Sequence, residues 1–160
     1  MDEPRRLLNA RDYEIAASEL LPPGALGYYA GGANDESTLQ DSVSAFGRWF
    51  LRPRILVDVT NCSTATTVLG QEISLPIVIA PLAFQRIGHA EGEIAMARAA
   101  RAVGTIMCLS TNTTVPSAEV AAVDPLRWFQ LYAFEDEGLT RDLVAQAREL
   151  TGVRSLESTR

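Results

Sequence analysis

The second half of the sequence repeats one pattern three times: a short apolar run is followed by an amphipathic or alanine-rich stretch. The apolar runs are Leu75–Ala80, Thr105–Leu109 and Trp128–Tyr132, and the stretches predicted to be helical are Glu91–Val103, Pro116–Val123 and Thr140–Leu150. Apolar strands separated by helices of about 10–15 residues are typical of a parallel sheet that is covered on its faces. The pattern therefore predicts an α/β fold.

Two architectures share this pattern, a doubly wound sheet and an eight-unit (β/α)8 (TIM) barrel. A doubly wound dinucleotide-binding domain carries the glycine pattern G-x-G-x-x-G after its first strand. Here that place holds Pro81-Leu82-Ala83-Phe84-Gln85 instead. The barrel is favoured, and because only three repeating units are visible we expect a partial barrel.

The residues before the repeats predict helices and a small hairpin. Asn9 is a plausible N-cap for a helix over Ala10–Leu20, which Pro22-Pro23-Gly24 would end. The later predicted elements are a helix over Glu36–Phe46, an extended stretch from Arg52, and hairpin strands over Thr64–Gly70 and Glu72–Ser74.

The charges exclude several classes of function. The formal net charge is −6, and all 14 basic residues are arginine. No basic stripe is available to neutralise phosphates, so a nucleic-acid partner is not expected. Without lysine the chain can form neither a Schiff base nor the lysine-containing phosphate loop G-x-x-x-x-G-K-[ST].

The two cysteines, Cys62 and Cys108, are too far apart in sequence to suggest a zinc site or a disulfide framework. We predict no metal site. The first ten residues are charged and have no apolar leader core, and no window approaches the roughly 20 apolar residues of a membrane span. A cytoplasmic location without a membrane segment is therefore expected.

In a barrel the functional residues lie at the carboxyl ends of the strands and in the loops that follow them. Those places hold Pro81-Leu82-Ala83, Ser110-Thr111-Asn112 and Gln130–Tyr132. They supply backbone N–H groups, a hydroxyl, a carboxamide and a phenol, without a carboxylate pair or a nucleophile beside a base. Such groups suit a planar heterocycle with carbonyls and ring nitrogens better than they suit hydrolysis.

Five ordered segments make a specific resemblance. They are Tyr28–Ala33, Phe50–Leu56, Leu75–Pro81, His89–Glu93 and Trp128–Tyr132. Together they resemble the FMN-dependent 2-hydroxy-acid oxidases and dehydrogenases, which include glycolate oxidase, lactate oxidase, mandelate dehydrogenase and flavocytochrome b2. The resemblance covers roughly residues 9–150. It implies an FMN cofactor, a small 2-hydroxy-acid substrate and a homo-oligomeric full-length protein.

The resemblance also implies roles for individual residues. Tyr28 matches a tyrosine that contacts the substrate carboxylate, and Tyr132 matches a second active-site tyrosine, both substrate-binding and catalytic. The backbone of Pro81, Leu82 and Ala83 matches the loop beside the flavin N5 region. Ser110 and Gln130 match residues that hydrogen-bond the polar edge of the flavin.

Three positions bear on how far the resemblance extends. Leu82 stands where a threonine is common in the family, and Asn112 stands where glycolate oxidase has a bulky tryptophan. His89, the single histidine, matches a structural segment at the start of a helix, so we do not expect it to act as a base.

The family's later features have no counterpart in this sequence. These are the proton-accepting histidine, a lysine near the flavin, carboxylate-clamping arginines and phosphate-binding glycines. We therefore expect residues 1–150 to be the N-terminal part of such a barrel and residues 151–160 to be an atypical tail. That tail faintly resembles the family's closing segment, and an internal deletion and a truncation both remain open.

Three hypotheses of function follow. The first is FMN-dependent oxidation of an (S)-2-hydroxy acid to a 2-oxo acid by hydride transfer to flavin N5. The second is a non-catalytic fragment or interaction module, whose unpaired strand edges would allow self-association. The third is a flavin or phosphate-ligand barrel of other chemistry, since Pro81–Ala83 and Ser110 would also serve there.

Overall fold

A computed structural model describes residues 7–124 and 127–151 of the chain. The chain divides into two units, Met1–Thr60 and Asn61–Arg160. The helices in chain order are α1 (Ala10–Leu20), α2 (Pro23–Ala30), α3 (Ser37–Ser44), α4 (Glu93–Val103), α5 (Ser117–Val123) and α6 (Glu137–Thr151). The strands are β1 (Thr66–Val68), β2 (Gln71–Ile73), β3 (Met107–Ser110) and β4 (Arg127–Gln130). None of the helices described here is long and apolar enough to cross a membrane.

The first unit is helical. Asn9 caps α1, and its side chain accepts a hydrogen bond of 3.1 Å from the amide of Asp12, which confirms the predicted start of this helix. The sequence did not predict α2, which begins at Pro23. A proline fits the first helical position because its missing N–H would have no partner within the helix. The predicted helix over Glu36–Phe46 is confirmed as α3, with a short 3-10 turn after it.

The second unit begins with the predicted hairpin. Strands β1 and β2 are antiparallel and are joined by Leu69-Gly70, with φ angles of 48° and 77°. Two central residues with positive φ make a type I′ turn, whose twist matches that of the strands. The indole N–H of Trp128 in β4 donates to the side-chain oxygen of Gln71 at 3.0 Å, which fastens the hairpin to the sheet.

Strands β3 and β4 are parallel, as predicted, and Ser110 pairs with Gln130 at their carboxyl ends. On the other side of β3, Ile79 forms a single parallel bridge to Met107. The prediction of a full strand over Leu75–Ala80 was wrong. Pro76 cannot donate to a ladder, and the amide of Ile77 donates back to the carbonyl of Leu75 at 2.8 Å, so the segment is bent.

Helix α4 supplies the core of the second unit. Ala97 and Ala100 on α4 are fully buried in one cluster with Met107 and Leu109 of β3. The helix ends at Gly104, whose φ of 68° is the left-handed conformation expected after a helix.

Helix α6 begins three residues before the predicted Thr140, at Glu137. The carboxylate of Asp136 accepts hydrogen bonds from the amides of Gly138 and Leu139, at 2.8 and 3.1 Å, and so caps the helix one turn early. Residues 152–160 of the predicted atypical tail lie outside the described residues.

Candidate functional site

The second unit brings three of the predicted loops to one edge of its sheet. Ser110 and Gln130 end the parallel strands β3 and β4, and Pro81–Ala83 follows Ile79, which bridges to β3 in the same direction. Because parallel strands emerge on the same side of a sheet, the segments that follow them lie at a common edge. This carboxyl edge of the sheet is the candidate site.

The centre of this edge is a contact between Ser110 and Gln130. Ser110 is only 4% exposed, and its hydroxyl donates to the carboxamide oxygen of Gln130 at 3.2 Å. The same hydroxyl accepts a hydrogen bond of 3.2 Å from the amide of Asn112. The carboxamide oxygen of Gln130 is thus held by Ser110, and its nitrogen is the group that can donate to a ligand.

Tyr132 lies two residues beyond the end of β4. Its side chain is 50% exposed, and its backbone amide donates to the hydroxyl of Thr111 at 3.0 Å. The hydroxyl of Thr111 in turn donates to the carbonyl of Gln130 at 2.5 Å. The phenol therefore belongs to a segment whose backbone is fixed to the neighbouring loop.

The loop over Pro81–Ala83 is anchored by the residues after it. Phe84 has a φ of 55°, and its amide donates to the carbonyl of Asn112 at 3.0 Å. The side chain of Gln85 is buried and donates to the carbonyl of Leu82 at 3.2 Å. Within residues 7–124 and 127–151, the amide of Ala83 has no hydrogen-bond acceptor, so it can donate to a ligand.

Glu93, the first residue of α4, joins two of these loops from inside the protein. Its carboxylate is fully buried and accepts hydrogen bonds from the amide and the hydroxyl of Thr114, at 2.9 and 2.6 Å. It also accepts a longer bond of 3.4 Å from the amide of Gln85. The hydroxyl of Thr114 accepts in addition from the amide of Arg86 at 3.2 Å.

Burial is the largest single influence on the pKa of the Glu93 carboxyl, and by itself it would raise that pKa. The hydrogen bonds from Thr114, from the amide of Glu93 itself and from the amide of Gln85 together outweigh burial, so the pKa lies below its usual value. Glu93 is therefore an ionised group that stabilises the loops, and its oxygens are directed at them and not at a substrate.

Sequence reasoning missed Glu93 and Thr111 as residues that shape the site. A signal for Glu93 was present, because its spacing of four and seven residues from Ala97 and Ala100 places all three on the buried face of α4. Thr111 had no comparable signal, since its importance depends on a contact with residues 19 and 21 positions away.

Tyr28 is not among the residues that the second unit brings together. It lies in α2 of the first unit, is 48% exposed, and meets Tyr29 edge-to-face with ring centroids 5.3 Å apart. His89 is exposed, and its ring nitrogen Nδ1 accepts from the amide of Glu91 at 3.2 Å. That contact fits a structural place at the start of α4.

The groups at the edge are neutral. The amide of Ala83 and the carboxamide nitrogen of Gln130 can donate to the carbonyls and ring nitrogens of a planar heterocycle, and the Ser110 hydroxyl, which donates to Gln130, keeps one lone pair that can accept from a ring N–H. The small side chain of Ala83 lets such a ring approach the backbone. The residues present therefore fit the polar edge of a flavin. In the described part of the chain, no group of three or more His, Cys, Asp and Glu side chains could hold a metal ion.

Comparison with known proteins identifies the family. The model of a family described as FMN-dependent dehydrogenase matches residues 17–159. The chain belongs to this family. The predicted family and its FMN cofactor are thereby confirmed.

The relatives of the chain in this family include oxidases of 2-hydroxy acids. Glycolate oxidase of Spinacia oleracea is 47% identical over 154 residues, which are 96% of this chain and 42% of that protein. 2-Hydroxyacid oxidase 1 of Homo sapiens is 45% identical over 147 residues, 91% of this chain and 40% of that protein. The chain thus spans about two fifths of the length of the curated relatives it matches.

Solved structures agree with the family. A crystal structure of mandelate oxidase with (S)-4-hydroxymandelic acid aligns with a TM-score of 0.85 and 40% identity, over 88% of this chain and 40% of that one. A structure of the same enzyme with benzoyl-formic acid aligns with a TM-score of 0.84. The prediction of a partial (β/α)8 barrel is confirmed.

Proposed function

We propose that this chain contributes the flavin-facing part of an enzyme that oxidises an (S)-2-hydroxy acid to a 2-oxo acid. The observation that carries the proposal is the pair of Ser110 and Gln130 beside the amide of Ala83 at one edge of the sheet. Membership of the FMN-dependent dehydrogenase family supports it. When bound, FMN supplies the acceptor for the hydride that leaves the α-carbon of the substrate.

The chain's own residues would orient the cofactor. Gln130 presents two N–H groups that would donate to the polar edge of the flavin, and the remaining lone pair of the Ser110 hydroxyl would accept from a flavin N–H. The backbone over Pro81–Leu82–Ala83 would lie against the ring, with the amide of Ala83 donating to it. Because these groups are neutral and are fixed by their own contacts, they orient the ring without adding a charge to it.

Two tyrosines would serve the substrate. The phenol of Tyr132, half exposed beside Gln130, would donate a hydrogen bond to the 2-hydroxy acid and assist its oxidation. Tyr28 would contact the substrate carboxylate, a role supported by its match to the family tyrosine in Tyr28–Ala33. The names of the relatives, glycolate oxidase and mandelate oxidase, support small 2-hydroxy acids as the substrate class.

The test is a titration of the full chain with FMN, followed by quenching of flavin fluorescence. Ser110→Ala and Gln130→Leu each remove a neutral hydrogen-bonding group, so each is expected to weaken binding about fivefold, the equivalent of roughly 1 kcal/mol. Ser42→Ala is the control, because the exposed hydroxyl of Ser42 donates to the carbonyl of Thr38 within α3. Equal affinities for all four proteins, or no saturable quenching, would contradict the proposal.

Substrate use is tested after co-expression of the chain with the later part of a family barrel, which supplies the proton-accepting histidine that has no counterpart here. Addition of glycolate, (S)-lactate or (S)-mandelate to the complex under anaerobic conditions is expected to bleach the flavin absorbance at 450 nm or thereabouts, with Tyr132→Phe bleaching about tenfold to a hundredfold more slowly. The (R)-enantiomers are the control. Equal bleaching rates with the (S)- and (R)-acids, and in wild type and Tyr132→Phe, would refute the proposed role of Tyr132.

A second candidate function is a binding module without turnover. Among the described residues β4 has a strand partner on one side only, so the backbone groups of its other edge can pair with a further strand. Such a module would associate with itself or with a complementary part of the fold. FMN binding without substrate-dependent bleaching, together with association in gel filtration, would favour this candidate.

A further inference from the structure

The hydroxyl of Thr111 joins two backbone groups of the segment after β4. It donates to the carbonyl of Gln130 at 2.5 Å and accepts from the amide of Tyr132 at 3.0 Å. A carbonyl can only accept and an amide can only donate, so both partners fix the direction of the hydroxyl proton. One side chain thereby holds the backbone of both residues.

The two hydrogen bonds of the Thr111 hydroxyl lie directly after the last residue pair of the β3–β4 ladder. The last ladder bond runs from the amide of Thr111 to the carbonyl of Gln130 at 3.0 Å, and the Ser110–Gln130 pair is the last in the register. Beyond it, the amide of Tyr132 has a side-chain acceptor in place of a backbone carbonyl. The direction of the chain between Gln130 and Tyr132 is therefore set by a threonine on the neighbouring loop.

We propose that Thr111 is a positioning residue that holds the Gln130 carboxamide and the Tyr132 phenol at the carboxyl edge of the sheet. The role of Thr111 in binding FMN and substrate rests on the proposed function, whereas its two contacts with the backbone do not. Threonine suits this place because its branched Cβ restricts χ1, so the hydroxyl is held in its bridging position. Serine can make the same two bonds, whereas valine has the same shape and makes neither.

The effect of losing the hydroxyl is expected to be local. Tyr132 is half exposed, so water can replace the hydrogen bond to its amide, and the global stability changes little. The segment would still open more often, since both bonds of the hydroxyl are lost and only the bond from the Thr111 amide to the Gln130 carbonyl remains. Amide hydrogen exchange at Tyr132 reports that opening directly.

The experiment compares the full chain with Thr111→Val, Thr111→Ser and Thr113→Val by hydrogen exchange resolved at single amides. Thr113 is a matched control because its half-buried hydroxyl also bridges a carbonyl and an amide, both of Val115, at 2.9 and 3.3 Å. Exchange at Tyr132 is expected to be about fivefold faster in Thr111→Val, near normal in Thr111→Ser and unchanged in Thr113→Val. Unchanged exchange in Thr111→Val, or equal acceleration in Thr113→Val, overturns the proposal.

The FMN titration adds a second measurement, because the affinity for FMN would not change if Thr111 only kept a surface segment in place. Thr111→Val is expected to weaken FMN binding about threefold to fivefold through Gln130, with Thr111→Ser restoring it. Normal FMN affinity in Thr111→Val overturns the link to Gln130. If the wild-type chain binds no FMN, the proposed function fails, and the exchange pattern still decides whether Thr111 holds the segment.

Discussion

The buried carboxylate of Glu93 should contribute measurably to the stability of the second unit. Glutamine at this position keeps one oxygen, which can still accept from the amide of Thr114, but it replaces the oxygen that lies 2.6 Å from the Thr114 hydroxyl with an NH2 group. One charge-assisted hydrogen bond is lost, which corresponds to about 2 kcal/mol. Glu93→Ala removes every acceptor and leaves a cavity, so about 4 kcal/mol is expected.

The assay is equilibrium urea unfolding followed by tryptophan fluorescence. The chain has two tryptophans, so a Trp49→Phe background leaves Trp128 of the second unit as the reporter. Glu91→Gln is the matched control. It makes the same chemical change two residues earlier, at an exposed side chain paired with Arg98, and is expected to cost less than about 0.5 kcal/mol.

The pH dependence has a defined sign. The pKa of Glu93 is lowered in the folded protein from its ordinary value of 4.5, so its stabilisation is present above that value and is lost as the pH falls through the folded pKa. The difference between wild type and Glu93→Gln should be full at pH 7 and should shrink as the pH falls through the lowered pKa of the folded protein. Equal stability of the Glu93 and Glu91 variants at pH 7, or a difference that persists unchanged in acid, would refute the reasoning.

Three further predictions concern backbone, capping and thiol chemistry. Gly92→Ala should destabilise the protein by about 2 kcal/mol or more in urea unfolding, because φ at Gly92 is 48° and an added Cβ would lie 2.8 Å from the Cγ of Arg86. Gly27→Ala is the control and should not destabilise it, because a Cβ at Gly27 would meet nothing within 4 Å. Asn9→Ala should lower helicity by circular dichroism, at a cost of about 1 kcal/mol. Cys108 should react with a thiol reagent more slowly than exposed Cys62, because burial raises the pKa of the Cys108 thiol; equal rates would contradict this.

Local chemistry made much of the fold predictable. The cap at Asn9 and the left-handed glycine at Gly104 each depend on residues a few positions apart, and both lie where a local rule places them. The hairpin was predicted, but its turn at Leu69-Gly70 was not, because both residues were assigned to the first strand and a leucine seldom adopts a positive φ. The bend over Leu75–Ala80 was not predicted, because a short apolar run is typical of a buried strand whether or not its backbone joins a ladder, and Pro76 lacks the donor that a ladder needs.

The candidate site was predictable to the level of strand ends. Ser110 and Gln130 could be selected because each follows an apolar run, yet their mutual contact depends on the register of β3 and β4. The anchoring roles of Glu93 and Thr111 arise from contacts about 20 residues apart in sequence. No periodicity in a single chain specifies such pairs, because they form only when the loops have been brought together.

The bond between the amide of Phe84 and the carbonyl of Asn112 uses only backbone atoms on both sides. The side chain at position 112 can therefore be exchanged while the two loops remain joined, with Thr114 and Glu93 providing a second connection behind it. A substitution of the Asn112 side chain is therefore expected to leave the connection between the two loops intact. In Asn112, the backbone carbonyl joins the two loops, whereas the side chain is the part that can change which ligand fits at the carboxyl edge.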